Sequence, residues 1–194
     1  MKNMFSLLNS QFSSFKIIKF LTIIIILFYV YYLSIYNNQW QKLLFGSFNK
    51  RETILYLSSI FVSTICYFIF TFYIYNKTDK KTSVVNTPME SEGQFYYLVA
   101  YSVLLLCSLL FIPFVFHYAT SSPKSIDVSY IIQSLLYLIL ISTVGIILLF
   151  NNTKYDLKNK KDKIIYAFTW VSLVYFFIQV SFIDIGFWTP KFLS

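Results

Sequence analysis

Five long apolar runs, almost free of charged residues, dominate this chain and limit what it can fold into. A hydrocarbon core about 30 Å thick needs roughly 20 helical residues to cross it. Four of the runs reach that length, and Lys16 and Lys19 extend the shorter first run because their long side chains reach the headgroups. The sequence therefore predicts an all-α, polytopic transmembrane helix bundle of five spans, since backbone groups in lipid must be paired within helices. The predicted spans are 17–36, 54–75, 95–119, 128–150 and 164–188.

The composition supports this prediction. Apolar residues make up 57% of the chain and charged residues only 12%, whereas soluble domains have about 25% charged residues. The segments between the runs are too short to bury a core of their own, so residues 1–194 are expected to form a single membrane domain. The two cysteines, Cys66 and Cys107, lie inside spans and have neither disulfide nor metal-site spacing.

The distribution of basic residues predicts the orientation. With five spans, eleven Lys residues fall on the side of the N-terminus and five Lys or Arg residues on the other side. The positive-inside rule then places the N-terminus inside and the C-terminus outside. We expect a multi-pass integral protein, with the plasma, endomembrane, mitochondrial inner and viral membranes all left open. The net charge of +8 is interpreted as contact with the lipid bilayer and not with nucleic acid, because the basic residues flank apolar spans.

A basic loop between the fourth and fifth spans carries the densest group of charges. We predict contacts of these lysines with lipid headgroups, and the same residues also serve as topology determinants. The two interpretations coexist. The lysines are Lys154, Lys158, Lys160, Lys161 and Lys163.

Ionisable and amide side chains inside spans are candidates for function. His117 and Asp184 lie near the outer ends of spans three and five, so the topology places them at similar depth. Gln133 joins that level, and Gln179 lies about one turn deeper. One hypothesis is a His117–Asp184 pair that faces the bundle interior and acts as a proton relay or pH sensor. The alternative is that both residues reach the headgroups or cap helix ends.

Two rows of small and hydroxyl side chains follow helical spacing in spans two and five. Such rows favour close packing and hydrogen bonding between membrane helices, with a polar pathway as the alternative. The first row is Ser59, Ser63, Cys66 and Tyr73, and the second is Thr169, Ser172, Tyr175 and Gln179.

The sequence carries no strong sign of catalysis. It has no G-x-S-x-G, H-E-x-x-H, Walker or G-x-G-x-x-G motif, and we assign no catalytic residue, metal ligand or cofactor. The first functional hypothesis is a structural or accessory subunit of a larger membrane assembly, through other membrane subunits or self-association. The second is a small channel or transporter formed by oligomerisation. The third is a membrane-embedded lipid-modifying enzyme that uses His117 and Asp184.

Overall fold

The described part of the chain is helical and contains no strand, which confirms the predicted all-α fold. The structure is a computed structural model, and it describes residues 22–29, 31, 44–45, 47–78, 90–153, 157 and 159–193. Helix α1 covers 22–29. The other helices are α2 (Lys50–Thr78), α3 (Glu90–Thr120), α4 (Ile126–Asn152) and α5 (Lys160–Ile178), followed without a break by a π-helical segment (Gln179–Trp188) and α6 (Thr189–Leu193).

Within the described residues, four helical stretches are long and apolar enough to cross a membrane: Lys50–Ile74, Tyr96–Thr120, Ile126–Asn152 and Lys160–Leu193. The second to fifth predicted spans lie within α2, α3, α4 and the continuous helix formed by α5 and the π-helical segment. Most of the first predicted span, 17–36, falls outside the described residues, although 22–29 and 31 are helical. These helices agree with a bundle of about five spans.

Local side chains fix where two of the helices begin. At the start of α2, Asn49 Oδ1 accepts the Glu52 N–H (2.9 Å) and Glu52 Oε2 accepts the Asn49 N–H (3.0 Å). This reciprocal capping box satisfies two backbone donors that have no partner within the helix. At the start of α4, Ser125 Oγ accepts the Val128 N–H (3.4 Å) in the same role. Polar loop residues therefore set the helix ends, a few residues beyond the apolar runs.

The main packing pairs are α3 with α4 and α2 with α5. The inner face of α4 repeats at intervals of three and four residues, as helix-on-helix packing requires. A side chain at Gly145 would contact Ala100 of α3, with its Cβ 3.9 Å from the Cβ of Ala100. The buried residues of α4 are Val128, Ile132, Leu135, Leu136, Ile139, Ser142, Thr143, Ile146 and Phe150.

Aromatic side chains close one end of the bundle, which we call the Trp188 end. It is formed by Phe45, Tyr56, Tyr118, Trp188 and Phe192. The Trp188 and Phe192 rings stack with centroids 4.4 Å apart, and the indole N–H donates to the Leu44 carbonyl (3.3 Å). Stacking and burial of these large rings hold the last helix against the rest of the bundle.

The outward faces of the long helices are apolar. Between 28% and 39% of the most apolar window of each helix is buried, so most of these residues face outward. Phe61 and Phe72 of α2 and Val171 and Phe182 of the last helix are exposed by about two thirds. Apolar surface this extensive is far larger than the patches that soluble monomers leave in water.

Candidate functional site

The carboxylate of Asp184 is the centre of a polar cluster at the Trp188 end. Its Oδ1 accepts a hydrogen bond from the Tyr56 hydroxyl of α2 (2.9 Å) and another from Nε2 of Gln179 (2.9 Å). Asp184 and Gln179 both lie in the π-helical segment, so the bond from Tyr56 joins that segment to α2 and the bond from Gln179 lies within the segment. Among the described residues, none donates to Oδ2, which keeps its capacity to accept.

Gln179 extends the cluster along the interface between α2 and the last helix. The hydroxyl of Ser59 donates to Gln179 Oε1, and it lies 3.4 Å from the hydroxyl of Tyr175. Gln179 is buried, and both ends of its amide are bonded. We call Asp184, Gln179, Tyr56, Ser59 and Tyr175 the Asp184 cluster.

The π-helical geometry makes this cluster possible. Asp184 and Gln179 are five residues apart, and in an α-helix that spacing separates two side chains by about 140° around the axis. In a π-helix, hydrogen bonds join residues five apart, and both side chains then reach the same face. The hydroxyl of Thr189 follows the same spacing and donates to the Asp184 carbonyl (2.7 Å). Short π-helical stretches are frequent at functional sites.

The cluster offsets the cost of an acidic group among apolar helices. A carboxylate that leaves water without partners is very unfavourable, whereas hydrogen bonds to a charged group contribute about 1.5–3 kcal/mol each. Two such bonds, from Tyr56 and Gln179, converge on one oxygen. The arrangement is suited to joining α2 to the last helix, and it leaves a single carboxylate oxygen as an acceptor.

The structure does not bring His117 to Asp184. The His117 side chain is exposed, while its neighbours Phe116 and Tyr118 are buried and take the inner face of α3. Asp184 instead bonds to Tyr56 and Gln179. Of the four predicted polar residues, Asp184 and Gln179 share the cluster and His117 lies apart from it.

Gln133 lies beside a surface cavity and outside the Asp184 cluster. The cavity has a volume of about 230 Å³ and lies between α4 and the last helix. The Gln133 amide forms no hydrogen bond with any residue the structure describes. The cavity is lined by Gln133, Leu136, Tyr137, Ile185, Thr189, Pro190 and Leu193.

An exposed stripe runs along α4 beside this cavity. Its members alternate at intervals of four and three residues, so they share one face of the helix. Three of them carry hydroxyls that bond to none of the described residues: Tyr130, Ser134 and Tyr137. We call the stripe, whose members are all exposed, the α4 stripe: Tyr130, Ser134, Tyr137, Ile141, Val144 and Leu148.

Sequence reasoning missed Tyr56, Ser134 and Tyr137. The position of Tyr56 near a span end is typical of an interfacial aromatic residue, and nothing local distinguishes it from one. The four-three spacing of the α4 stripe is visible in the sequence. Lipid-facing stripes have the same spacing, so the informative signal is a tyrosine near the middle of an apolar run with a glutamine about one turn before it.

The lysines of the basic loop are described in part. Lys160, Lys161 and Lys163 are exposed in the first turn of α5, and Lys154 and Lys158 lie outside the described residues. Cations at a helix N-terminus are unfavourable for the helix dipole, so these lysines do not stabilise α5. Their contact with headgroups stays a prediction.

A second polar contact joins α2 to the end of the last helix. Lys191 of α6 forms an ion pair with Glu52, and the Ser47 hydroxyl donates to the Lys191 carbonyl. The Lys191 ammonium also lies 5.3 Å from the ring centre of Phe48 and 4.8 Å from that of Phe187. These contacts close the bundle above the Asp184 cluster.

Neither a metal centre nor a known relative identifies this cluster. Within the described ranges, no three His, Cys, Asp or Glu residues lie close enough to hold a metal ion. Comparison of the chain with protein-family models, with curated proteins and with solved structures found no match.

Proposed function

We propose that this chain is a multi-pass integral membrane protein and that it serves as a structural or accessory subunit of a larger membrane assembly. The four long apolar helices and their exposed outward faces support its place in a bilayer. A subunit of this kind needs a surface for its partners and no reaction centre of its own. The α4 stripe supplies such a surface.

The observation that carries the proposal is the position of Tyr137. It lies eleven residues beyond Ile126 in a helix of 27 residues, which is about 16 Å along the axis and close to the middle of a span. Its side chain is 52% exposed. At that depth lipid offers no hydrogen-bond partner, and an unpaired polar group is costly. Ser134 and Gln133 add two more such groups, so a protein partner on this face is favoured.

The outer face of α2 provides the contrast. It has the same four-three spacing in Phe61, Ile65, Phe68 and Phe72, all of which are exposed. Phe61 also lies eleven residues beyond the first residue of its helix, so its depth corresponds to that of Tyr137. Apolar side chains such as Phe61 are what lipid contact favours. Ser58, three residues before Phe61, continues this face of α2 and is also exposed, as Ser134 is in the α4 stripe. The two stripes therefore differ at Tyr137, where α2 has Phe61, and not in exposure.

The Asp184 cluster agrees with a structural role. Both ends of the Gln179 amide and one oxygen of Asp184 are bonded within the bundle. Its polar groups hold helices together, which is the ordinary use of polar side chains between membrane helices. Because His117 is exposed and Asp184 bonds to Tyr56 and Gln179, the His117–Asp184 pair of the enzyme hypothesis gains no support from these contacts.

The test is extraction of the tagged chain from its native membrane in a mild detergent, followed by native-gel sizing and mass spectrometry. The wild type should migrate as an assembly larger than one chain. The double variant Gln133→Leu/Tyr137→Phe should recover at least fivefold less partner, because it loses two hydrogen bonds that contribute up to about 1.7 kcal/mol each. The matched control Phe61→Leu should recover wild-type amounts. A single chain that conducts ions in vesicles would contradict the proposal and favour the channel hypothesis.

A further inference from the structure

Two buried hydroxyl groups lie near the end of the bundle opposite the Trp188 end. Tyr101 of α3 is fully buried, and its hydroxyl forms no hydrogen bond with the described residues. The hydroxyl of Thr71 of α2 is also shielded from solvent and also has no hydrogen-bond partner among them. A buried polar group without a partner is costly, and lipid supplies none. Native structures contain few such groups, so two that lie close together indicate a shared bound molecule.

The two hydroxyls belong to one group of side chains where α1, α2 and α3 meet. The Thr71 hydroxyl lies close to those of Tyr67 and Tyr101, without the geometry of a direct hydrogen bond. The ring centre of Phe70 is 5.5 Å from that of Tyr67 and 6.4 Å from that of Tyr101, which places both tyrosines beside the same turn of α2. The Tyr67 hydroxyl in turn lies 3.1 Å from the Thr22 hydroxyl of α1.

The Thr71 hydroxyl does not bond to its own helix. A threonine inside a helix can donate to the carbonyl four residues earlier, and three others in these spans do so. They are Thr64, Thr143 and Thr169, at 2.9, 2.8 and 2.9 Å. Thr71 lacks this bond, so its hydroxyl is available to a molecule bound between α2 and α3.

The chemistry of the site favours an uncharged molecule that both donates and accepts hydrogen bonds. Among the described residues, the polar side chains near the Tyr101 hydroxyl are those of Tyr67, Thr71 and Tyr97. All three are hydroxyls, which donate and accept, so an ion would lie there without a counter-charge. A buried water molecule typically makes about three hydrogen bonds to groups of this kind.

We propose that one water molecule is bound between the hydroxyls of Tyr67, Thr71 and Tyr101 and joins α2 to α3. These helices belong to different main packing pairs, so the water connects the two pairs. Thr71 lies three residues before the end of Lys50–Ile74, and Tyr101 lies five residues after the start of Tyr96–Thr120. The site is therefore about 5–8 Å from the loops, within reach of water. It lies inside one chain and goes beyond the proposed function, since no partner is needed.

The test is a double-mutant cycle on the purified chain in detergent, measured as the thermal midpoint of unfolding. Tyr101→Phe and Thr71→Val should each lower the midpoint by about 2–4 °C, the shift expected for one lost hydrogen bond in a chain of this size. The double variant should lose no more than the larger single loss, because either change alone releases the water. The matched control is Thr64→Val. Thr64 is an exposed threonine of the same helix, and its variant should show no coupling to Tyr101→Phe.

The sign of the shift separates a water site from hydroxyls that have no ligand. If Tyr101→Phe or Thr71→Val raises the midpoint or leaves it unchanged, the hydroxyl contributes nothing to stability and the proposal is overturned. Single losses that add in the double variant also overturn it, because independent sites do not couple.

A crystal structure of the wild-type chain in lipid separates a water from a direct hydrogen bond and needs no variant. A density peak about 3 Å from both Tyr101 Oη and Thr71 Oγ1 supports the bound water. Direct contact between these two oxygens, or no peak between them, overturns it even if the double-mutant cycle shows coupling.

Discussion

Asp184 shows how a single residue can be costly alone and stabilising in its setting. Tyr56 and Gln179 both donate to its Oδ1, and both are buried. Removing the carboxylate leaves these two donors without an acceptor. A buried donor without a partner costs about 1–3 kcal/mol.

We therefore predict that Asp184→Ala lowers the free energy of unfolding in detergent by about 2–6 kcal/mol, the combined cost of two orphaned donors. Asp184→Asn should cost less than half as much, because its amide oxygen still accepts both hydrogen bonds. Ser181→Ala is the control, since among the described residues the Ser181 hydroxyl bonds only to the Phe177 carbonyl of its own helix (2.7 Å). Thermal unfolding followed by circular dichroism measures all three. Equal loss for the Ala and Asn variants would show that the charge and not the acceptor matters.

The sequence predicted part of this cluster. Asp184 and Gln179 stand out because they are polar within an apolar run, and Ser59 and Tyr175 belong to the rows predicted to pack. Their contact required the π-helical spacing, which no periodicity rule gives, because α-helical geometry places residues five apart on different faces. The depth of His117 was inferred from its position, but depth does not determine which face of a helix a residue occupies.

At the scale of elements, the last helix depends on contacts at its end. Lys191 pairs with Glu52 and lies near the rings of Phe48 and Phe187. The Ser47 hydroxyl also donates to the Lys191 carbonyl, and the Tyr118 hydroxyl donates to the Leu193 carbonyl. One side chain thus holds three neighbours around α6.

We predict that Lys191→Met speeds amide hydrogen exchange of Thr189–Leu193 by roughly fivefold or more. The change removes the ion pair and two cation–π contacts. Each cation–π contact contributes about 0.5–1 kcal/mol at exposed sites. Exchange in the middle of α4 should not change. The control is Lys163→Met, which removes an exposed lysine from the opposite end of the same continuous helix. If both variants exchange at the wild-type rate in α6, the contacts of Lys191 do not hold this end.

The apolar runs predicted that the helices exist, and the runs alone did not predict where the helices end. Apolar runs indicate which residues lie in the hydrocarbon core. A helix, in contrast, extends to the residue whose side chain caps its unpaired backbone donors. The second run begins at Ile54, yet α2 begins at Lys50 because Asn49 and Glu52 form a capping box. An Asn followed three residues later by Glu is a recognisable signature of a helix start, so this end was present in the sequence.

At the scale of the whole molecule, the basic residues in the loops determine the orientation in the membrane. The number of spans determines which loops lie on the same side. Exposed lysines at the start of α5 and the polar residues at the Trp188 end lie at opposite ends of one continuous helix. The excess of lysine near Lys160 predicts that this end faces the cytoplasm or matrix.

Cysteine placed at Asn159 should therefore react with a membrane-impermeant maleimide only after sealed, right-side-out vesicles are opened, whereas cysteine at Ser47 should react at once. Both positions are exposed, and the buried Cys66 and Cys107 make the wild type an unlabelled control. Asn159 precedes the first residue of the last helix, and Ser47 contacts Lys191 at its other end. Labelling of both positions from the same side would therefore mean that the last helix does not cross the bilayer. Reversed labelling would mean that another signal outweighs the eleven basic residues predicted on the inner side.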